Sequence, residues 1–416
     1  MIAAARAFAA LAIVSSAPLN AVAVDDIAHR GCAAIVARVN EVAGTSPVFL
    51  RSYDDKSGRG APDQPALRTA AFVYDNSLAV IALVACGQKP AAMRVGEALR
   101  LAILDDSRLR NVYRSGEVKD KPLPNGWWDA KSSQWVEDAY QNGTSTGNAA
   151  WTALAMLALF DATHDARWNQ AAAKLGHWVI ENTSDARGAG GFNGGIDGFD
   201  AAPAKVLWKS AEHNIDLIAV FGGLDRARVV GDWRSAKANA RRFVDSQWDS
   251  ASGHFFIGAQ VDGVTPNRDS SALDAQLWAQ LIPDAPKEWR RALTYVEREH
   301  AVPGGFDFNA DRDGAWIEGT AQAALVYRIV GRDADAQKLF ATIDAQFSTG
   351  GMVYATREAK ITTGLATSAS GSSADFYYYR MPHLGATAWA VLARRAARLR
   401  HCVRLAWRRP CGSARG

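Results

Sequence analysis

Residues 149–160 read Ala-Ala-Trp-Thr-Ala-Leu-Ala-Met-Leu-Ala-Leu-Phe. As a helix this stretch is apolar nearly all round, so it has to be buried on every side. Its alanines let neighbouring helices approach closely. The following segment, 166–182, is built differently. Trp168, Ala172, Leu175, Trp178 and Val179 recur at helical spacing, with Asn169, Gln170, Lys174 and Glu181 between them. That pattern makes a one-faced helix that covers something.

The pair is repeated along the chain. Buried segments are expected at Asp75–Ala85, Asn148–Phe160, Glu212–Phe221, Leu273–Leu281, Ile317–Val330 and Leu384–Ala397. Each is preceded by an amphipathic one: Ile27–Val42, Ala92–Leu104, Ala166–Asn182, Trp233–Gln247, Glu288–Glu299 and Ala334–Phe347. Links from a buried helix to the next covering helix are mostly short, such as 87–91, 161–165 and 283–287. Links the other way are long: 43–66, 105–147, 183–211, 248–272, 300–316 and 348–383. Loops longer than about 12–15 residues usually carry function. Six hairpins packed side by side in a closed ring would put all the long links on one face. The same packing brings Cys32 near Cys86, either as a disulfide or as two buried thiols.

This all-α architecture resembles the six-hairpin, or (α/α)6-barrel, glycosidase superfamily, at the level of topology and over nearly all of the chain. Helical toroids also include terpenoid cyclases, prenyltransferases and polysaccharide lyases, so the recurrence bears more on fold than on activity.

Three segments are expected. Residues 1–23 have the features of a secretory signal: Arg6, an apolar Ala7–Val14 core and Ala21-Val22-Ala23 as the cleavage pattern. Residues 24–397 form the barrel. Residues 398–416 form a basic, solvated tail. The chain carries 47 Lys+Arg against 43 Asp+Glu, but eight arginines lie in 394–416. The part between the leader and that tail is mildly acidic, which argues against nucleic-acid binding. A hydrophobic content of 48% with 22% charged residues fits a globular core and excludes disorder. An exported monomer with a polysaccharide or oligosaccharide substrate, and no membrane segment once the leader is removed, is expected.

Acidic residues at the starts of the buried helices are the candidate chemistry. Asp75, Glu212 and Glu318 are flanked by aromatics, whereas Asp274 reads as a helix cap. Glycoside hydrolysis needs one protonated acid at the leaving oxygen and a second carboxylate that activates water or attacks directly. Glu212, near Trp208 and beside His213, is the candidate acid. Asp75 is the candidate base, and Glu318 either replaces it or positions hydroxyls. Tyr74, Asn76, Trp127, Trp128, Trp135, Trp208, His213, Trp316, Tyr378 and His383 are candidate substrate contacts, because aromatic faces suit the apolar face of a pyranose. Two alternatives stand beside hydrolysis: a polysaccharide lyase using Tyr and His chemistry, and a non-catalytic sugar-binding barrel. Asn309, Asp311 and Asp313 match the first half of a calcium loop, but Thr320 stands where the closing Glu belongs. No cofactor or metal is expected.

Overall fold

The computed structural model describes residues 20–54, 64–105, 108–366 and 375–399. Most of the expected leader (1–19) and the expected tail from 400 onward lie outside the described residues. Twelve helices carry the architecture. Six are inner: α2 (Val73–Ala85), α4 (Thr146–Thr163), α6 (Ala211–Arg226), α8 (Leu273–Trp278), α10 (Ile317–Ile329) and α12 (Leu384–Leu399). Six are outer: α1 (Asn20–Asn40), α3 (Lys89–Asp105), α5 (Ala166–Thr183), α7 (Trp233–Ser246), α9 (Arg291–Glu299) and α11 (Asp333–Asp344).

The inner helices touch in the order α2, α4, α6, α8, α10, α12 and back to α2, so the ring is closed. This is the (α/α)6 barrel the hydrophobic pattern requires. In α4, Ala149, Ala150, Ala153 and Ala155 are fully or almost fully buried. In α3 only the stripe through Ala92, Val95, Leu99 and Ala102 is buried. Burying such a stripe contributes about 25 cal/mol per Å² of apolar surface removed from water. Hence the outer helices stay on the ring without being part of it.

Two departures from the sequence reading have clear causes. Helix α8 stops at Trp278 and continues as one 3-10 turn, Ala279–Leu281. Ile282, which precedes Pro283, is extended as that position prefers. The pairing of hairpins is also shifted: α1 packs most extensively against α12, so the sixth hairpin is assembled from the two ends of the chain. Cys32 and Cys86 form a disulfide, with Cα atoms 6.3 Å apart, fastening α1 to the end of α2.

The long links are not plain coil. Among the described residues they form short antiparallel pairs, and five of the six inner helices start directly after a strand or bridge residue. Such pairing fixes where each inner helix begins, and therefore where its first side chains point.

Because the bond closes a loop of 54 residues, replacing Cys32 and Cys86 by Ala should cost about 4 kcal/mol. A lower denaturant midpoint is the expected result, with a slope equal or steeper because the unfolded chain is no longer cross-linked. An unchanged midpoint would mean that α1 is held by packing alone.

Candidate active site

The first turns of the inner helices meet at the mouth of the ring. The second residue of each is, in ring order, Tyr74, Gly147, Glu212, Asp274, Glu318 and Gly385. The first five line a single inner chamber of 160 Å³. The sixth stands against its carboxylates: a Cβ on Gly385 would lie 2.7 Å from both Asp75 Oδ1 and Glu318 Oε2. Glycine at that point is what allows the two acids to come together.

Asp75, Glu318 and His383 are all nearly fully buried. The Ala386 N–H donates to His383 Nδ1 (3.2 Å), so in the neutral ring the proton sits on Nε2, which faces Asp75 Oδ2 at 3.3 Å. Trp389 Nε1 donates to the Tyr74 hydroxyl (3.0 Å), which donates to Glu318 Oε1 (2.6 Å). Among the described residues Glu318 Oε2 has no hydrogen-bond partner, and it lies 3.8 Å from His383 Nδ1. Beneath them the rings of Trp151, Trp278 and Trp389 pack with centroids 5.2–5.9 Å apart.

Burial dominates the electrostatics. It raises Glu318 to about 8, with His383 pulling the value down and Asp75 pushing it up. Glu212 is pushed well above the usual carboxylate range by burial and then by Asp274, Asp216 and Glu318. Asp274 is raised to about 7 by burial. Burial opposes a charge on His383, but Asp75, through its charge and hydrogen bond, and Glu318 outweigh it and raise the ring's pKa. His213 has no such neighbour and falls to about 4, so it is neutral at pH 7. Carboxyls kept protonated near neutral pH beside a histidine whose pKa is raised are the raw material of acid–base chemistry.

The structure brings Asp75, Glu212, Glu318, Tyr74, His213, Trp316, Tyr378 and His383 to the inner chamber. Trp208 lines an adjoining outer cleft of 400 Å³. Four expected contacts lie elsewhere. Asn76 is fully buried, its amide spent on the Leu50 backbone N–H and C=O and on the Phe72 carbonyl. Trp127, Trp128 and Trp135 belong to a separate hairpin in which Trp128 pairs with Trp135. The 105–147 link is long enough to fold on itself there, leaving Trp128 62% exposed and Trp135 45% exposed.

The chamber also has lining residues outside the expected set, Tyr53, Tyr140, Trp151 and Asp274 among them. Asp274 had a usable signal, since it holds the same second position as Glu212 and Glu318. Trp151 was hidden inside a helix that reads as core throughout.

Among the described residues, two side-chain groups have donor atoms close enough to hold a cation: Asp75, Glu318 and His383, and Asp307, Asp311 and Asp313. In the second, next to Asn309, the Asp311 carboxylate accepts from the Thr362 hydroxyl (2.5 Å) and Asp313 from the Thr362 N–H (2.9 Å). That loop therefore pins the strand Lys360–Ala366, whose Thr363 and Leu365 wall the chamber.

No family model matches the chain, and no curated protein matches it. Solved structures do. A cellobiose 2-epimerase from Bacillus thermoamylovorans is 10% identical, with TM-score 0.62 over 89% of this chain and 99% of that one. A wild-type glycosidase is 14% identical, with TM-score 0.57 over 90% and 97%. A GH76 α-mannanase from Bacteroides thetaiotaomicron is 10% identical, with TM-score 0.55 over 90% and 97%. At these identities the likeness is one of fold, the six-hairpin (α/α)6 barrel, with no specific family placed.

Two measurements probe the site. Gly385→Ala should lower activity about 100-fold with little change in melting temperature, since it displaces Asp75 and Glu318 and not the core; full activity would show that their spacing is immaterial. For Glu318, whose pKa is about 8 folded against an ordinary 4.5, the folded chain keeps a proton that the unfolded chain has lost between those values. Its contribution to stability is therefore greatest below about pH 4.5 and declines as pH rises toward about 8. Glu318→Gln should flatten that decline, and an unchanged pH profile of the melting temperature would contradict it.

Proposed function

We propose that the protein is a glycoside hydrolase in which Glu212 is the general acid and Asp75 the general base. The observation that carries this reading is the convergence of carboxyls from four different hairpins on one aromatic-walled chamber, with Glu212 only partly buried at its opening. Protonated Glu212 donates to the glycosidic oxygen as the bond from that oxygen to the anomeric carbon breaks. Asp75 accepts a proton from the water whose oxygen bonds to that carbon. His383 Nε2–H orients the Asp75 carboxylate. Glu318 Oε2 is one of the unpartnered polar atoms that can meet a sugar hydroxyl, while Trp316 and Tyr378 offer flat faces to the ring.

The solved glycosidases of the same fold support an enzyme acting on sugars. The lyase alternative is weakened by charge. A lyase has to neutralise a uronate carboxylate, yet no Lys or Arg is among the described residues lining the chamber. Arg380, the cation nearest in sequence to Tyr378 and His383, bonds instead to Gln346 and to the Thr356 and Arg357 carbonyls. A second reading, sugar epimerisation, is favoured by one observation: His213 and His383 both line the chamber, and a neutral His213 could take a proton from carbon. Export through residues 1–23 belongs to the same proposal, and the Cys32–Cys86 bond suits an oxidising compartment.

Product analysis on a panel of neutral oligosaccharides separates the readings. Hydrolysis yields new reducing ends and shorter chains, a lyase yields ultraviolet-absorbing ends, and an epimerase keeps chain length and changes the reducing sugar. Glu212→Gln and Asp75→Asn should each lower kcat about 10²–10⁴-fold while binding persists. Undiminished turnover in both would contradict the assignment, and binding with no turnover in the native protein would favour a non-catalytic barrel.

A further inference from the structure

We infer that the enzyme is exo-acting: the inner chamber takes one terminal, uncharged sugar ring, the outer cleft takes the next ring against Trp208, and the bond between them lies at Glu212. This deepens the hydrolase reading and rests on it.

Size is the first argument. A cavity of about 150 Å³ is filled by benzene, a molecule smaller than a sugar ring, so the inner chamber, at 160 Å³, has room for one ring at most and none for a second. The outer cleft, at 400 Å³, is considerably larger. The two share Tyr140, Ser145, Glu212, His213, Phe308 and Leu365, which therefore frame the passage between them. Away from that passage the chamber backs onto Trp151, and behind it Trp278 and Trp389 are only 2% and 3% exposed. The same side is occupied by the buried Asp75, Glu318 and His383. A polymer running through would have to displace this packed floor, whereas a chain end enters and stops. The interring oxygen of such a chain falls at the passage, where Glu212 is the carboxyl common to both compartments.

Charge is the second argument. Asp75, Glu212, Asp274 and Glu318 line the chamber without a Lys or Arg among the described residues. A uronic acid there would give up its hydration without gaining a Lys or Arg partner, a cost that an uncharged ring does not carry. Lys209, the only Lys or Arg among the described residues lining the outer cleft, has its ammonium bonded to the Arg187 and Gly190 carbonyls, 3.6 Å from Asp185. Neither compartment is arranged to receive a carboxylate. Trp208 lines only the outer cleft, with its ring 6.0 Å from that of His213, and so offers its face one residue beyond the cleavage point.

The test uses the full chain on gluco-, manno-, galacto- and xylo-oligosaccharides of two to about six residues, tagged with 2-aminobenzamide at the reducing end. Counterparts ending in glucuronic acid run alongside. The expected first products are an untagged monosaccharide and a tagged chain shorter by one residue, with uronate-ended chains at least about tenfold slower. Trp208→Ala should raise KM for the preferred disaccharide about tenfold, and for the matching glycosyl fluoride, which leaves the outer cleft empty, by much less. Tagged products of mixed length from the outset, or equal rates on uronate-ended chains, would overturn the inference while leaving hydrolysis intact. Cleavage of no member of the panel would instead remove the hydrolase reading and this inference with it.

Discussion

The rest of the molecule depends on one requirement: six inner helices with apolar faces too wide for one neighbour to cover, 149–160 most completely, have to be packed on several sides at once. A helix such as 149–160 cannot lie at an edge, since any exposed flank would leave leucine and methionine in water. Placing the six in a closed ring lets each bury two flanks against its neighbours. The outer helices cover the third, and the interior is filled from the ring itself. Closure also decides orientation. Because every tight turn joins an inner helix to the outer helix after it, all six inner helices start at the same end.

From that alignment the site follows almost mechanically. Equivalent positions on parallel helices in a ring face a common axis, so the second residue of each inner helix contributes to one small volume. Four of those positions carry Tyr, Glu, Asp and Glu, and two carry Gly. The side chains supply the chemistry and the glycines supply the room. Gly147 admits the His213 ring and Gly385 admits the Asp75 and Glu318 carboxyls, each where a Cβ would come within 2.7 Å or closer. Burial then keeps several of the acids protonated near neutral pH, a state that carboxyls in water do not hold.

The alternation of buried and covering helices, the face carrying the long links and the nearness of Cys32 to Cys86 were all legible in the residues, because each is a matter of period and link length. The mouth of the barrel was less so. Asp274 looked like a helix cap because its neighbours in sequence are unremarkable, and its role emerges only when six helix starts are superimposed. Asn76 sits one residue from Asp75, yet on a helix that step of about 100° turns its amide away toward the Leu50 backbone. Trp128 and Trp135 are aromatic and in a long link, but a link that pairs with itself sets its own direction, and no helical period reports that. Trp151 shows the converse: its segment reads as core, and the floor of a chamber is core on one side only.

Glu212 and Glu318, from separate hairpins, are held in one desolvated chamber, where they keep their protons. Carboxyl-carbon NMR of the protein labelled at glutamate side chains measures this directly. Two resonances, assigned by their loss in Glu212→Gln and Glu318→Gln, should titrate far above the ordinary glutamate range, with that of Glu318 near pH 8. Titration of both in the ordinary range, near 4.5, would mean that these side chains face water and that the chamber does not exist as described.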